Sequence, residues 1–489
     1  MSGQLTTPIS EWLTRTSEKV IETSCAWVFL AGDRALKVKK PVDYGYLDYS
    51  TLEKRLWALE RELRFNRSAA PDIYKRVVRI GAGGAGFELD SPGEPVEFAL
   101  EMRRFDEDAV LAQRPYAVDG DLAEAMGREV ARFHAGADIK AAGDEALAYT
   151  INSNAQLLRK LYPDAPADVT RLLDLTDRAF DALRPLIKQR SELGFTRRCH
   201  GDLHLGNILL EDGRPVLFDC IEFNDSLSEI DVLYDLAFLL MDLDFRRRTD
   251  AANRVLNAYL DEAARTFGEA VFAHLSLLPL MQSVRAVVRC HVAAHADDFE
   301  TANAYLRAGL RHLTPPPPQL IAVGGLSGSG KSTFARLVAP GVGGAPGAVV
   351  LRSDEIRKRL FGVGPTSKLP EAAYQPGVGE LVYGRMFEEA DAALAAGRAV
   401  ALDAVFLKPE ERDAAAHLAQ KLGAPFHGAW LETPSDVMES RIAARSGDAS
   451  DADVAILYQQ LARDPGPIGW RRFGGIDLET ASKTLVEGL

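Results

Sequence analysis

At 489 residues, with 47% hydrophobic and 26% charged side chains, the chain has an ordinary globular composition and is too long for one core, so two or three domains are expected. The formal net charge of −13 speaks for solubility and against nucleic acid or an anionic membrane as partner. Four scattered cysteines fit a reducing cytosol, residues 1–20 lack a signal-peptide core, and Ser2 excludes the myristoylation pattern.

Residues 20–30 and 34–42 read as two strands joined by Gly32-Asp33. Lys37 and Lys39 share a face of the second strand, because strand side chains alternate with period two. A strand lysine suits the α/β-phosphates of a nucleotide, and the alternation does not choose between the two. Ser50-Thr51-Leu52-Glu53 forms a capping box for a helix running to about Asn66, with Leu52, Leu56, Leu59 and Leu63 as its buried stripe. Glu60 and Glu62 flank that stripe, and either can pair with the strand lysine. Strands at 77–80, 86–89 and 96–105, separated first by Gly81-Ala82-Gly83-Gly84, complete a small, mostly β lobe with one helix. Backbone around 102–104 is expected to join the lobes and meet adenine.

Helical spacing follows at 121–134, 152–162 and 169–193. The stretch 199–224, CHGDLHLGNILLEDGRPVLFDCIEFN, places Asn207 five residues after Asp202 and Asp219 twelve residues further on, at the end of an apolar run. One carboxylate, one amide and a second carboxylate at this spacing suit phosphoryl transfer. The first deprotonates an acceptor hydroxyl and the others hold Mg²⁺ on the ATP phosphates. The helix at 230–243 encloses Asp231 and Asp235, and a carboxylate there is costly unless hydrogen-bonded. Bracing the catalytic loop is the use expected of Asp235. The apolar pattern at 230–245 is broken by four aspartates, so no membrane span is expected. His291 and His295, on a helix at 275–295, have a ligand spacing but no third ligand, so no zinc site is expected.

Four prolines at 315–318 form a stiff spacer of about 12 Å. Leu320-Ile321-Ala322-Val323 is then a short strand, and Gly325-Leu326-Ser327-Gly328-Ser329-Gly330-Lys331-Ser332 matches G-x4-G-K-[ST], with a helix continuing from Thr333. In such a loop, backbone N–H groups converge on phosphate, Lys331 reaches the β/γ-phosphates and Ser332 ligates Mg²⁺. Strands at 349–351 and 400–402 end near Asp354 and Asp403, where open parallel sheets bind ligands. One carboxylate would orient an acceptor hydroxyl and the other metal-bound water. The cluster Arg352, Arg357, Lys358, Arg359 offers acceptor contacts or a solvated helix face, 362–379 a flexible flap, and Arg441 and Arg445 a phosphate-closing pair before a polar lid at 446–453.

Residues 1–313 resemble the aminoglycoside phosphotransferase-like group, through the Ala35-Leu36-Lys37 strand, His200-Gly201-Asp202-Leu203-His204-Leu205-Gly206-Asn207, Leu217-Phe218-Asp219 and Asp235-Leu236-Ala237. The resemblance implies a two-lobed protein-kinase-like fold, with Asp202 as base, Asn207 and Asp219 on Mg²⁺, Lys37 on ATP and Glu62 as its acid. It departs from kinases in lacking a Gly-rich loop before Lys37, where Glu22-Thr23-Ser24-Cys25-Ala26 stands, and in lacking a long activation segment. Residues 319–489 resemble P-loop small-molecule kinases of the gluconate-kinase and zeta-toxin type, often labelled AAA family ATPase, which implies Asp354 and Arg357 on the acceptor side.

The expected architecture is therefore mixed α+β and α/β: a kinase-like N-lobe over 1–105, a helical lobe over 106–313, the proline linker 314–318, and a parallel-sheet P-loop kinase domain over 319–489. The expected activity is that of a cytosolic bifunctional kinase using ATP and Mg²⁺ on small hydroxylated molecules. Alternatives make one domain a nucleotide-sensing regulator of the other, or a toxin-like kinase restrained by the N-terminal domain.

Overall fold

The computed structural model describes residues 7–489 except Tyr46, Ala85, Ala142 and Ser446. Ser2 and the first residue of the expected lid thus lie outside the described residues. Helix α1 (Pro8–Arg15), which the sequence reading did not anticipate, packs Ile9 and Leu13 against Trp27, Phe29 and Val38. Strands β1 (Lys19–Glu22), β2 (Ala26–Ala31) and β3 (Arg34–Lys39) follow. Residues 20–30 are two strands instead of one, because Thr23 closes a turn, its Oγ1 accepting the Ala26 N–H at 3.0 Å. Helix α2 (Leu52–Ala69) is capped by Thr51. The Ser50 hydroxyl donates to Asp48 at 2.6 Å, so the expected capping box does not form. Leu59 is buried, whereas Leu52, Leu56 and Leu63 are partly buried against the same core.

Strand β4 (Tyr74–Gly83) runs through the glycines expected as a loop, before β5 (Gly86–Leu89) and β6 (Pro95–Arg103). These six strands form one sheet in the order β1-β2-β3-β6-β4-β5, its pairs antiparallel. The N–H groups of Arg103 and Arg104 are taken by the carbonyls of Ile73 and Asp33, so an adenine contact at 102–104 cannot use those two donors.

Helices α3 (Gly120–Gly136), α4 (Gly143–Leu161) and α5 (Ala167–Glu192) lead to β7 (Thr196–Arg198), the hairpin β8 (Ile208–Glu211) and β9 (Arg214–Leu217), short α6 (Asp225–Ser228) and β10 (Glu229–Asp231). Ile230 lies in a strand paired with β7, so the buried helix α7 (Val232–Phe245) starts later than expected. Helices α8 (Thr249–Phe267), α9 (Ala270–Ala273), α10 (Leu278–His295) and α11 (Phe299–Leu313) follow. The stretch Ala270–His295, and not 230–245, is long and apolar enough to cross a membrane, and 78% of its most apolar window is buried inside the protein.

After the prolines come β11 (Leu320–Gly324), α12 (Lys331–Val338), β12 (Val349–Arg352), α13 (Ser353–Leu360), α14 (Pro376–Ala395), β13 (Val400–Asp403), α15 (Pro409–Lys421), β14 (Phe426–Glu432), α16 (Ser435–Ala443), α17 (Val454–Leu461), β15 (Arg471–Gly474) and α18 (Leu478–Val486). The five strands are parallel in the order β12-β13-β11-β14-β15, as expected of a P-loop domain. Ile321, Val323, Phe334 and Ala401 fill its core. The stretch 362–379 is not one flap, since α14 begins at Pro376.

The chain forms two compact units. One comprises residues up to Ala117, Ala137–Thr150 and Arg190–Asp235, and the other Val118–Gly136, Ile151–Gln189 and Leu236–Leu489. All the kinase-like site residues lie in the first unit, and the whole P-loop site lies in the second.

Candidate active sites

In the first unit, β3 brings Lys37 and Lys39 to Glu62 of α2. Lys37 Nζ lies 2.6 Å from Oε1 and Lys39 Nζ 2.6 Å from Oε2. Their second partners separate them. Lys37 contacts Asp219 Oδ1 at 3.0 Å, whereas Lys39, 2% exposed, contacts Glu222 Oε1 at 2.5 Å. Lys37 therefore faces Asp219 and Lys39 the interior. Glu60 is exposed and Glu62 fully buried, which selects Glu62 as the helix acid. Burial opposes the Lys37 charge, but Asp219, Glu62 and Glu222 outweigh it and hold the ammonium well above the usual lysine range. Burial likewise opposes the Glu62 carboxylate, yet Lys37 and Lys39 keep its pKa below the usual value.

The loop that carries His200, Gly201 and Asp202 is braced by α7. Asp235, in the first turn of α7, accepts the His200 N–H at 3.0 Å and the Gly201 N–H at 2.9 Å, the role its burial required. Gly201 has φ +87°, and a Cβ there would lie 2.8 Å from the Leu227 carbonyl oxygen. The His200 ring donates from Nε2 to the Phe218 carbonyl at 2.8 Å and accepts the Asp202 N–H at Nδ1, 3.3 Å, a tautomer assigned from these partners. Asn207 Nδ2 donates to Asp202 O at 2.9 Å and Oδ2 at 3.1 Å, which leaves Asn207 Oδ1 for a cation.

Asp219 adopts φ +64°, a left-handed conformation that costs a non-glycine residue about 1 kcal/mol, and its N–H donates to Tyr74 OH at 3.1 Å. The Asp202 and Asp219 side chains are 40% and 48% exposed, so both carboxylates remain accessible. The Asn207 and Asp219 oxygens are hard donors, and this set fits Mg²⁺. The sequence reading missed Glu222, which also accepts from Tyr49 OH at 2.7 Å, and Asn66, whose Oδ1 accepts the Cys220 N–H at 2.7 Å. A lone glutamate in the run Ile221-Glu222-Phe223 was the only signal for the first.

In the second unit, the P-loop leaves β11 with φ of +144°, +81° and +96° at Gly325, Gly328 and Gly330. A Cβ on Gly328 would lie 2.6 Å from the Met438 carbonyl oxygen. Ser327 N–H donates to Gln460 Oε1 at 2.8 Å, and Thr433 Oγ1 donates to the Ser329 carbonyl at 3.0 Å. Lys331 Nζ donates to the Leu326 carbonyl at 2.9 Å, and burial pushes its pKa down against the opposing pull of Asp403 and Asp354. A cavity of about 620 Å³ is lined by Lys331, Ser332 and Thr333 together with Asp354, Arg357, Asp403, Arg441 and Arg445. The structure thus gathers most of the expected P-loop residues around one space, with Gly325 and Ser329 outside its lining.

Arg357 donates to the Ala373 carbonyl at 2.7 Å and lies over the Tyr374 ring at 5.1 Å. Arg441 Nη1 lies 3.3 Å from the Ser329 carbonyl oxygen. Arg445 falls beyond the end of α16, so the two arginines do not share one helix face, and its buried Nη1 has no partner among the described residues. Burial pushes the Asp354 carboxyl above its usual range, with Arg352 opposing and Asp403 adding.

Arg352, expected only as a member of a basic cluster, is 4% exposed and central. Its Nε lies 3.2 Å from Asp403 Oδ2, Nη2 lies 3.1 Å from Ser332 Oγ and 2.8 Å from Asp448 Oδ1, and Nη1 lies 3.0 Å from Glu355 Oε1. Lys358 is likewise buried, 2.7 Å from Asp451, so the cluster is no solvated face and the described part of the expected lid is tied down. Ser332 Oγ and the Asp403 carboxylate are hard oxygen donors that fit Mg²⁺.

Residues 61–272 match the model of the phosphotransferase enzyme family, and residues 320–466 match that of an AAA domain. Uncharacterized proteins of Mycobacterium tuberculosis (strain H37Rv) and Mycobacterium bovis are 33% identical over 468 residues, covering 91% of this chain and 89% of theirs. Among solved structures, a similar chain is that of a glucosamine kinase (18% identity, 60% of this chain and 74% of that one, TM-score 0.35). A choline kinase from Cryptosporidium parvum Iowa II (11%, 60% and 88%, TM-score 0.40) and a gluconokinase from Sinorhizobium meliloti 1021 (23%, 35% and 91%, TM-score 0.24) are also similar.

Proposed function

From a chain that belongs to the family of these mycobacterial proteins, and that joins a phosphotransferase-family domain to a P-loop kinase-like domain, we infer a bifunctional ATP-dependent phosphotransferase with one active site per domain. Its acceptors are small hydroxylated molecules of the sugar, aminocyclitol or nucleotide-sugar type, and it works in the cytosol. The observation that supports this reading is that each constellation holds a lysine together with accessible or cavity-lining carboxylates: Lys37 lies on Asp219 with Asp202 also accessible, and Lys331 lines one cavity with Asp354.

At the first site, Lys37, oriented by Glu62, neutralises the ATP phosphates, and Asp202 takes the proton of the acceptor hydroxyl. The acceptor oxygen bonds to the γ-phosphorus as the bond to the β-phosphate oxygen breaks, and ADP leaves. Asn207 and Asp219 would hold Mg²⁺ there, as Ser332 and Asp403 would at the second site. When bound, that ion offsets phosphate charge. At the second site, the P-loop and Lys331 hold the phosphates, Asp354 and Arg357 orient the acceptor, and Arg441 and Arg445 stabilise developing charge.

An ATP-consumption assay of the full chain over a panel of sugars, aminocyclitols and nucleotide sugars tests the acceptor class. Consumption stimulated by at least one panel member is expected. Stimulation by none of them, with peptide or protein hydroxyls accepting phosphate instead, would refute it.

A further inference from the structure

We infer that helices α3 and α8, which fall within the phosphotransferase-family match, are a working part of the P-loop site, with Arg128 and Asn257 as positioning residues for the cation-binding pair Ser332 and Asp403. Both sides of this contact lie in the second compact unit. Strand β12 is an edge of the parallel sheet, and an edge strand presents unpaired N–H and C=O groups. Here α8 covers them. Asn257 Oδ1 accepts the Val350 N–H at 2.7 Å, while Asn253 and Asn257 donate to the Ala348 carbonyl at 2.9 and 3.3 Å. Two asparagines one helical turn apart thus supply the bonds of a missing neighbouring strand.

The last residue of β12 is Arg352, the side chain that holds both Ser332 Oγ and Asp403. Arg352 also holds Glu355, and Glu355 lies 3.9 Å from Arg128 of α3. Arg128 in turn contacts Asp261 of α8 at 3.0 Å, and Asp261 contacts Arg359 at 2.7 Å. A second link starts on the helix that follows the P-loop: Arg336 of α12 contacts Glu124 of α3 at 2.8 Å, and Glu124 contacts Arg254 of α8 at 2.7 Å. The phosphate-facing helix and the strand end carrying Arg352 are therefore both fastened to α3 and α8.

The relay has a direction. Glu355 and Arg128 are each 14% exposed and Asp261 is 5% exposed, so these charges are weakly screened and share one set of partners. Removing Arg128 leaves Glu355 one cation short, and its pull on Arg352 increases. Arg352 then shifts toward Glu355, and Ser332 Oγ and the Asp403 carboxylate lose the shared donor that fixes their mutual orientation for the cation. Contacts of the P-loop backbone and Lys331 with nucleotide do not pass through Arg352. The affected quantity is therefore the gain in nucleotide affinity that the cation brings.

The inference rests on the reading of the P-loop as a cation-assisted nucleotide site, and its test separates the two. ADP binding is measured by calorimetry on the full chain, with magnesium chloride and with EDTA, in a Lys37→Ala background that silences the first site. Arg128→Ala, or Arg128→Gln should the first fold poorly, is expected to weaken ADP binding about three- to tenfold with magnesium and not with EDTA. Arg128→Lys is expected to restore most of the gain, and Asn257→Ala to reproduce the loss. A folded Arg128 variant with an unchanged ratio of the two affinities would overturn the inference. A parent chain whose ADP affinity does not respond to magnesium would instead overturn the reading of the site.

Discussion

Two lysines two residues apart grip one glutamate, and their second partners give them different work. Lys37→Ala leaves Glu62 with Lys39 and is expected to cost about 1 kcal/mol of stability while removing nucleotide binding at the first site. Lys39→Ala strips the cation from buried Glu222 and is expected to cost about 3 kcal/mol, read by urea denaturation. Equal stability losses in the two variants would contradict the division of roles.

Asp448 gives a pH signature for the other site. Burial raises its carboxyl pKa, but Arg352 outweighs that and lowers it to about 2. A depressed carboxylate stabilises the fold above its unfolded pKa, near 3.8, and that contribution fades as pH falls through the folded value. The chain should exceed Asp448→Asn in unfolding free energy by about 2 kcal/mol at neutral pH, the gap closing between about pH 4 and pH 2. Asp354 shifts in the opposite sense: its raised pKa should move the acid limb of second-site turnover above the pH of an ordinary aspartate.

At the scale of elements, the placement of the P-loop and of the loop after β7 was legible because each motif confines its residues to a few adjacent positions. Gly328 is one such position. Gly328→Ala, with φ +81° and the Met438 carbonyl in the way, should cost about 2 kcal/mol and weaken nucleotide binding, whereas Gly379→Ala in open space on α14 should raise the melting temperature slightly. What the sequence hid was long-range partnership. Lys39 meets Glu222 across 183 residues and Asn253 meets Ala348 across 95, and no local periodicity encodes either. Local competition misled the reading elsewhere: Asp48 draws the Ser50 hydroxyl from its expected cap, and Thr23 breaks a strand that alternation alone makes continuous.

For the whole molecule, the central claim is that one chain carries two phosphotransfer sites with separate chemistry. The kinase-like site residues are self-contained within the first compact unit, whereas the second unit combines the P-loop fold with helices from the phosphotransferase match. A variant of either carboxylate or lysine should therefore act on its own site only. The direct measurement is transfer of labelled γ-phosphate from ATP into a small-metabolite extract, with products resolved by mass, for the chain, Asp202→Asn, Lys331→Ala and the double variant. Two labelled products are expected. Asp202→Asn should lower formation of one about 10²- to 10⁴-fold and Lys331→Ala should abolish the other when both acceptors are supplied. Loss of both products in Asp202→Asn under that condition, or of neither in the double variant, would contradict the account.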